Sequence, residues 1–147
     1  MTKSNLLRIK TASWGKDKNK LQDIRHTVFV REQSVPERLE WDEYDETATH
    51  FLAFIDNLAI ATARLKSDGQ IGRMAVLSAY RNQNIGYQLL GFVLETAHKQ
   101  GLKSVFLHAQ VQVIDFYKKR GFVERGEVFM DANIPHREMI KTVNDRD

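Results

Sequence analysis

The segment Ile71-Gly72-Arg73-Met74-Ala75-Val76-Leu77 has the apolar character of a buried strand. It passes through Ser78-Ala79-Tyr80 into Arg81-Asn82-Gln83-Asn84-Ile85-Gly86-Tyr87, where an amphipathic helix begins. The first N–H groups of a helix lack internal partners and carry the positive end of its dipole. Gly86, and Asn84, which tolerates left-handed backbone, would let successive N–H groups converge on one point. Such a turn suits an anion, and a diphosphate in particular, with Arg81 adding charge. The same residues also fit an ordinary strand–loop–helix joint in which Asn84 is the N-cap.

A second stretch follows the next strand: Gln110-Val111-Gln112-Val113-Ile114-Asp115-Phe116-Tyr117-Lys118-Lys119-Arg120-Gly121-Phe122. With it in view, the chain resembles the GNAT superfamily of acyl-CoA-dependent N-acyltransferases. Arg81 to Gly86 matches that family's Arg/Gln-x-x-Gly-x-Gly/Ala loop, with Asn84 in place of the first glycine. Gln110 to Phe122 matches its Asn-x-x-Ala-x-x-Phe-Tyr-x-x-x-Gly-Phe element, with Gln110 in place of asparagine. Val28 to Gln33, Glu40 to Asp45, His50, Ala61 to Leu65 and Ile134-Pro135-His136 together resemble its ElaA/YjcF-like branch. The resemblance implies that Met74, Ala75 and Val76 pair with the pantetheine arm of acetyl-CoA, one backbone N–H polarising the thioester carbonyl. It also implies that Arg81, Asn82, Gln83, Asn84, Ile85, Gly86 and Tyr87 hold the diphosphate, and that Gln110 and Tyr117 complete the cofactor site. Many members carry a catalytic glutamate near the start of the strand bearing Met74. Here that slot falls at or near Gln70, which cannot take a proton.

Transfer of an acetyl group to an amine needs a proton donor for the departing thiolate and a proton acceptor for the amine. Tyr117 is the candidate acid, since a phenol of pKa ~10 stays protonated beside a thiolate whose own value is ~8.5. Its other reading is core packing, next to Phe116. An amine of pKa ~10.4 must give up its proton, and Glu32, His50 and His136 are the candidate catalytic bases. His26, His98 and His108 read as structural or solvated. No histidine pair has metal-ligand spacing, so no metal is expected. The acceptor is expected to be a primary amine on a small molecule or peptide, drawn by the acidic block Glu40, Asp42, Glu43, Asp45 and Glu46. The sequence contains no cysteine, which argues for direct transfer in a ternary complex rather than through an acyl-enzyme. A catalytically silent acyl-CoA-binding regulatory module is the alternative.

These residues require a scaffold, and 147 residues suit one domain with a real core. Leu6–Ala12 predicts a strand, Asp17–Arg31 an amphipathic helix, and Ser34–Glu46 a loop with room for a short helix. Ala48–Ile55 and Leu58–Lys66 form a hairpin closed by Asp56-Asn57, and Ile71–Leu77 is the next strand. A helix over Gly86–Gln100 ends at Gly101. Then come a strand over Ser104–Ala109, a short helix over Val113–Arg120, and two strands after Phe122, split by Asp131–Pro135. The expectation is one α/β (α+β) GNAT-like domain over 1–147, with a mixed, mostly antiparallel sheet of six to seven strands and about four helices. The strands after Phe122 could pair across a homodimer. The net charge of +3 is spread over separated basic segments, which speaks against nucleic acid. No apolar run approaches a membrane span, and Met1–Arg8 has no leader-like apolar stretch, so a cytoplasmic protein is expected.

Overall fold

A computed structural model describes residues 6–143, leaving Met1–Asn5, part of the basis for the leader reading, outside it. Its elements in order are β1 (Leu7–Ala12), α1 (Lys18–Arg25), α2 (Glu37–Glu40), β2 (Thr49–Ile55), β3 (Leu58–Leu65), β4 (Gln70–Val76), α3 (Ile85–Lys99), β5 (Ser104–Gln110), α4 (Ile114–Lys118), β6 (Val123–Asp131) and β7 (Ile134–Thr142). All seven strands form one sheet in the order β1-β2-β3-β4-β5-β7-β6. Every pairing is antiparallel except β4 with β5. The expected α/β architecture, with its mixed sheet and four helices, is present.

The interior strand β2 shows why the sheet is covered on both faces. Its alternate residues Phe51 and Ala53 join Leu89, Leu90, Val93 and Ala97 of α3, whereas Leu52 and Phe54 join Leu21, Ile24 and Val28 of the first helix. A strand buried on both sides reads as a continuous apolar run rather than as an alternation. Both tight hairpins are closed by two residues. Ile55 pairs with Leu58 around Asp56 (φ 58°), and Asp131 pairs with Ile134 around Ala132 (φ 52°) and Asn133 (φ 65°). Among the described residues no helix is long and apolar enough to cross a membrane.

The fold departs from regularity in three places: two were not predicted, and the third, the parting of β4 from its neighbour, is what the family resemblance implies. The helix over Asp17–Arg31 changes gauge at its middle: after Arg25 it is wound as a π-helix over His26–Glu32, closed by Gln33 N–H donating to the Val28 carbonyl at 3.0 Å. π-turns of this kind gather at functional sites. Strand β4 carries a bulge, since Gly72 faces Arg64 and Ala75 faces Thr62, leaving two residues of β4 against Ala63 alone. Arg73 sits in that bulge at φ 48°, a conformation costing a side-chain-bearing residue about 1–2 kcal/mol. Finally, β4 touches β5 only at Gln70↔Phe106 and Ile71↔Leu107.

Candidate functional site

Past Ile71 and Leu107 the two parallel strands diverge, and the fork opens into a cleft of about 1550 Å³. Met74, Ala75 and Val76 line it from β4, Gln110 from β5, and Phe116 and Tyr117 from α4. The edge of β4 that faces the fork has no strand beside it, so its N–H groups there are available to a ligand.

Beyond β4 the chain reaches the start of α3 through Asn82 and Asn84, each at φ 64°. Asn84 occupies the N-cap position, yet its side chain makes no capping hydrogen bond. The first N–H groups of α3 are therefore not capped by the Asn84 side chain. An added Cβ on Gly86 would lie 3.4 Å from the Phe116 ring, so this glycine lets α4 close against α3. Arg120 lies across α3, donating to the Tyr87 carbonyl at 2.8 Å with its guanidinium 3.7 Å from the Tyr87 ring centre. Gly91 makes room for it: a Cβ there would stand 2.5 Å from Arg120 Nη2. Arg81 is anchored to the loop by Nε–H donating to the Val76 carbonyl at 2.8 Å.

The structure gathers some of the sequence candidates and not others. Arg81, Asn82, Asn84, Ile85, Gly86 and Tyr87 line the cleft; Gln83 does not. Tyr117 is packed edge-on between Phe116 and Phe122, with ring centres 5.0 and 5.9 Å away. Burial pushes its phenol up to about 12, so it is fully protonated at neutral pH. Glu32 lines the cleft but is held in a two-pronged ion pair by Arg81, at 2.5 and 2.8 Å. That pairing keeps its carboxyl below the usual carboxylate range, which makes it a poor proton acceptor. His136 is in the cleft wall, with Nδ1 2.7 Å from the Ile134 carbonyl. A carbonyl only accepts, so the ring proton sits on Nδ1 and Nε2 presents a lone pair.

His50 is not brought into the cleft. It is 1% exposed, stacked on Trp14, and its Nε2 is 2.8 Å from the Asp45 carbonyl. Burial pushes its imidazole below the ordinary value.

Within the acidic block, Glu40, Asp42 and Asp45 are paired with arginines. Glu40 and Asp45 are buried on Arg25, each at 2.8 Å. Arg64 binds Asp42 and Asp45 at 2.7 and 2.9 Å, and Arg73 binds Glu40 and Asp42 at 3.0 and 3.1 Å. Three carboxylates thus meet three guanidiniums, and the cluster carries no net charge. Burial would raise the Asp42 and Asp45 carboxyls, but the arginines hold both below the usual range. For Glu40 burial wins, and its carboxyl is pushed up.

Sequence reasoning missed His108, whose ring lines the same cleft. Its Nε2 is 3.2 Å from Glu138 Oε1, and its Nδ1 is 3.4 Å from Gln70 Nε2. The signal was the period of two along β5: Phe106, His108 and Gln110 share a face opposite buried Val105, Leu107 and Ala109. Gln110, on that face, donates to Gln33 Oε1 at 2.9 Å and so ties β5 to the end of the π-helical stretch.

Known proteins share this arrangement. Residues 16–143 match the family model described as an acetyltransferase (GNAT) domain. The protein ElaA of Escherichia coli is 36% identical over 131 residues, 84% of this chain and 86% of ElaA. YjcF of Bacillus subtilis, described as an uncharacterized N-acetyltransferase, is 32% identical over 133 residues, 86% of this chain and 95% of YjcF. The crystal structure of an acyl-CoA N-acyltransferase from Pseudomonas aeruginosa superposes with a TM-score of 0.83 at 31% identity, covering 92% of this chain and 99% of that one. With a forked β4–β5 pair opening onto an uncapped helix and relatives of this kind along nearly its whole length, the chain belongs to the GNAT acetyltransferase family.

Proposed function

We propose that the protein moves an acetyl group from acetyl-CoA directly to a primary amine on a small molecule or peptide, within a ternary complex. The observation that carries this reading is the fork itself: β4 leaves β5 after Ile71 and runs to an α3 N-terminus that no side chain caps. A diphosphate fits the open N–H groups of that helix, and the left-handed backbone at Asn82 and Asn84 turns them toward one point. The pantetheine arm then lies along Met74, Ala75 and Val76, where a free β4 N–H donates to the thioester oxygen as negative charge grows there. Tyr117 lines the same cleft from α4. Its high pKa suits a hydrogen bond to the leaving thiolate, because the phenol is never ionised when the sulfur needs a donor. With no cysteine in the sequence, the amine attacks the thioester itself.

The test is Tyr117→Phe, assayed by thiol release from acetyl-CoA with a panel of primary amines. Turnover falls by about 100-fold, the lower end of general acid catalysis, while acetyl-CoA still stabilises the fold. At 100 times its Kd a ligand adds about 2.7 kcal/mol, which a thermal melt resolves easily. Stabilisation by acetyl-CoA without thiol release in the parent protein would favour the silent binding module instead. No stabilisation at millimolar acetyl-CoA refutes both.

A further inference from the structure

Side chains from four neighbouring strands and one turn make a continuous polar chain beneath the fork. Arg125 of β6 forms an ion pair with Glu138 of β7, donating through Nε at 2.7 Å and also through Nη2. Glu138 Oε1 lies 3.2 Å from His108 Nε2 on β5, its direct cross-strand neighbour. His108 Nδ1 faces Gln70 Nε2 on β4, and Gln70 Oε1 accepts from Lys66 Nζ at 3.0 Å. Direction in this chain is fixed at its end. An ammonium only donates, so the Gln70 oxygen must face Lys66 and its NH2 must face His108. His108 Nδ1 therefore accepts, the ring proton sits on Nε2, and that proton is given to Glu138.

His108 is also placed where the chemistry would occur. Ile71↔Leu107 is the last β4–β5 pair, so His108 is the first residue of β5 beyond it, at the root of the fork. Its ring is held by Phe129, edge-on at 5.1 Å, and by Phe106 at 6.1 Å. The Gln70 contact at 3.4 Å is long for a hydrogen bond, so the Nδ1 lone pair is weakly engaged. An incoming ammonium would replace it with a shorter, charge-assisted one.

Resting on the acetyl-transfer reading above, we propose that His108 is the general base that deprotonates the acceptor amine, with Glu138 and Gln70 as its positioning residues. The ammonium R–NH3+ gives one proton to His108 Nδ1, and the resulting imidazolium is stabilised by the Glu138 carboxylate. The free amine nitrogen bonds to the thioester carbon, and the C–S bond breaks. The second amine proton, lost as the amide forms, balances the thiolate leaving as CoA thiol. His108 returns its proton to solvent. Other titratable or charged groups linked to the ring are Arg125 through Glu138, Lys66 through Gln70, and His136 across the Phe129 ring; Glu32, paired with Arg81, lines the same cleft.

Two measurements test this, one independent of turnover. Long-range ¹H–¹⁵N spectra of the imidazoles at pH 8 should show His108 with its proton on Nε2; a proton on Nδ1 overturns the proposal. Thiol release is then followed from pH 5.5 to 8.5 with acetyl-CoA and the amine the parent uses best. His108→Gln lowers kcat by about 100-fold or more and removes the fall in kcat/KM at acid pH, with the acetyl-CoA thermal shift retained. Glu138→Gln, milder for the fold, lowers kcat by about tenfold with KM for acetyl-CoA unchanged. If His108→Gln stays within threefold of the parent with the acid fall intact, or if His136→Gln alone abolishes that fall, His108 is not the base. A parent that turns over no amine defeats the transfer reading, and the base with it. A parent that turns over beside an unaffected His108→Gln defeats the base alone.

Discussion

Replacing Arg25 by methionine isolates the energy stored beneath the cleft. Arg25 is 0% exposed and bonds Glu40 through Nε and Asp45 through Nη1, both at 2.8 Å; its Nη2 reaches the Glu40 carbonyl, also at 2.8 Å. Its guanidinium is 5.0 Å from the Trp41 ring centre and 5.6 Å from that of Trp14. Removing one member of a buried ion pair costs about 3–5 kcal/mol, because the partner charge stays buried without its counter-ion. Here Glu40 keeps Arg73 and Asp45 keeps Arg64, which places the ionic part near the lower end. Losing the cation–π contacts adds about 1 kcal/mol, while the methionine stem preserves packing. Arg25→Met is thus expected to lose about 3–4 kcal/mol, or about 10 °C in Tm for a domain of this size.

Urea unfolding followed by circular dichroism measures this as a lower midpoint at unchanged m. A double-mutant cycle adds the sharper test. With Arg25 gone, Glu40→Gln should cost at least 1 kcal/mol less than in the parent, since it then removes a charge that has lost half its partners. A loss under about 1 kcal/mol for Arg25→Met, or additive variants, refutes the reasoning.

Two further outcomes follow from the geometry. Asn84→Val should cost about 1–2 kcal/mol, because a β-branched residue resists φ 64°, and it should weaken acetyl-CoA binding by calorimetry; Asn84→Gly should stay within about 0.5 kcal/mol in stability. Stability should fall in acid: Asp42 and Asp45 have native carboxyls below their unfolded values, so their contribution is present above about pH 4 and lost as pH drops through the native values. Glu40 runs the other way, its native carboxyl holding a proton more tightly than the unfolded one, so its term declines as pH rises from about 4.5. A Tm at pH 3 equal to that at pH 6 contradicts the assignment.

What could be read from the sequence was what is decided locally. The Asp56-Asn57 hairpin depends on a local turn in which Asp56 takes φ 58°, and α3 on its run of apolar positions, so both lay within a short window. The turn from β4 into α3 was legible for the same reason. The π-helical stretch was not, because Val28 and Phe29 keep nearly helical spacing whether the turn closes at four residues or five. The Arg25–Glu40–Asp45 cluster joins residues 15 and 20 positions apart, and the polar chain at His108 spans 38 and 30. In a list of residues these were an acidic block and a stray histidine. Only strand order made them a neutral core and a cleft wall.

The three irregularities of the fold meet in that neutral core. Regular pairing would let β4 continue beside β5, since nothing in Gly72 to Val76 forbids it. The bulge at Arg73 instead bends β4 where the fork begins, and a bend held at φ 48° needs an external restraint. The restraint is Glu40, whose carbonyl accepts from Arg73 at 2.9 Å and whose carboxylate binds it at 3.0 Å. Glu40 is fixed in turn by Arg25, the last residue of α1 before the π-helical stretch that carries Glu32 and Gln33 to the cleft. One buried arginine therefore couples the wall that turns Gln33 toward Gln110 with the strand that offers its N–H groups to the fork. Buried charge is a poor way to gain stability, as hydrophobic residues of the same volume often do better. Its presence here is explained by what it shapes: a strand edge kept open against its natural neighbour.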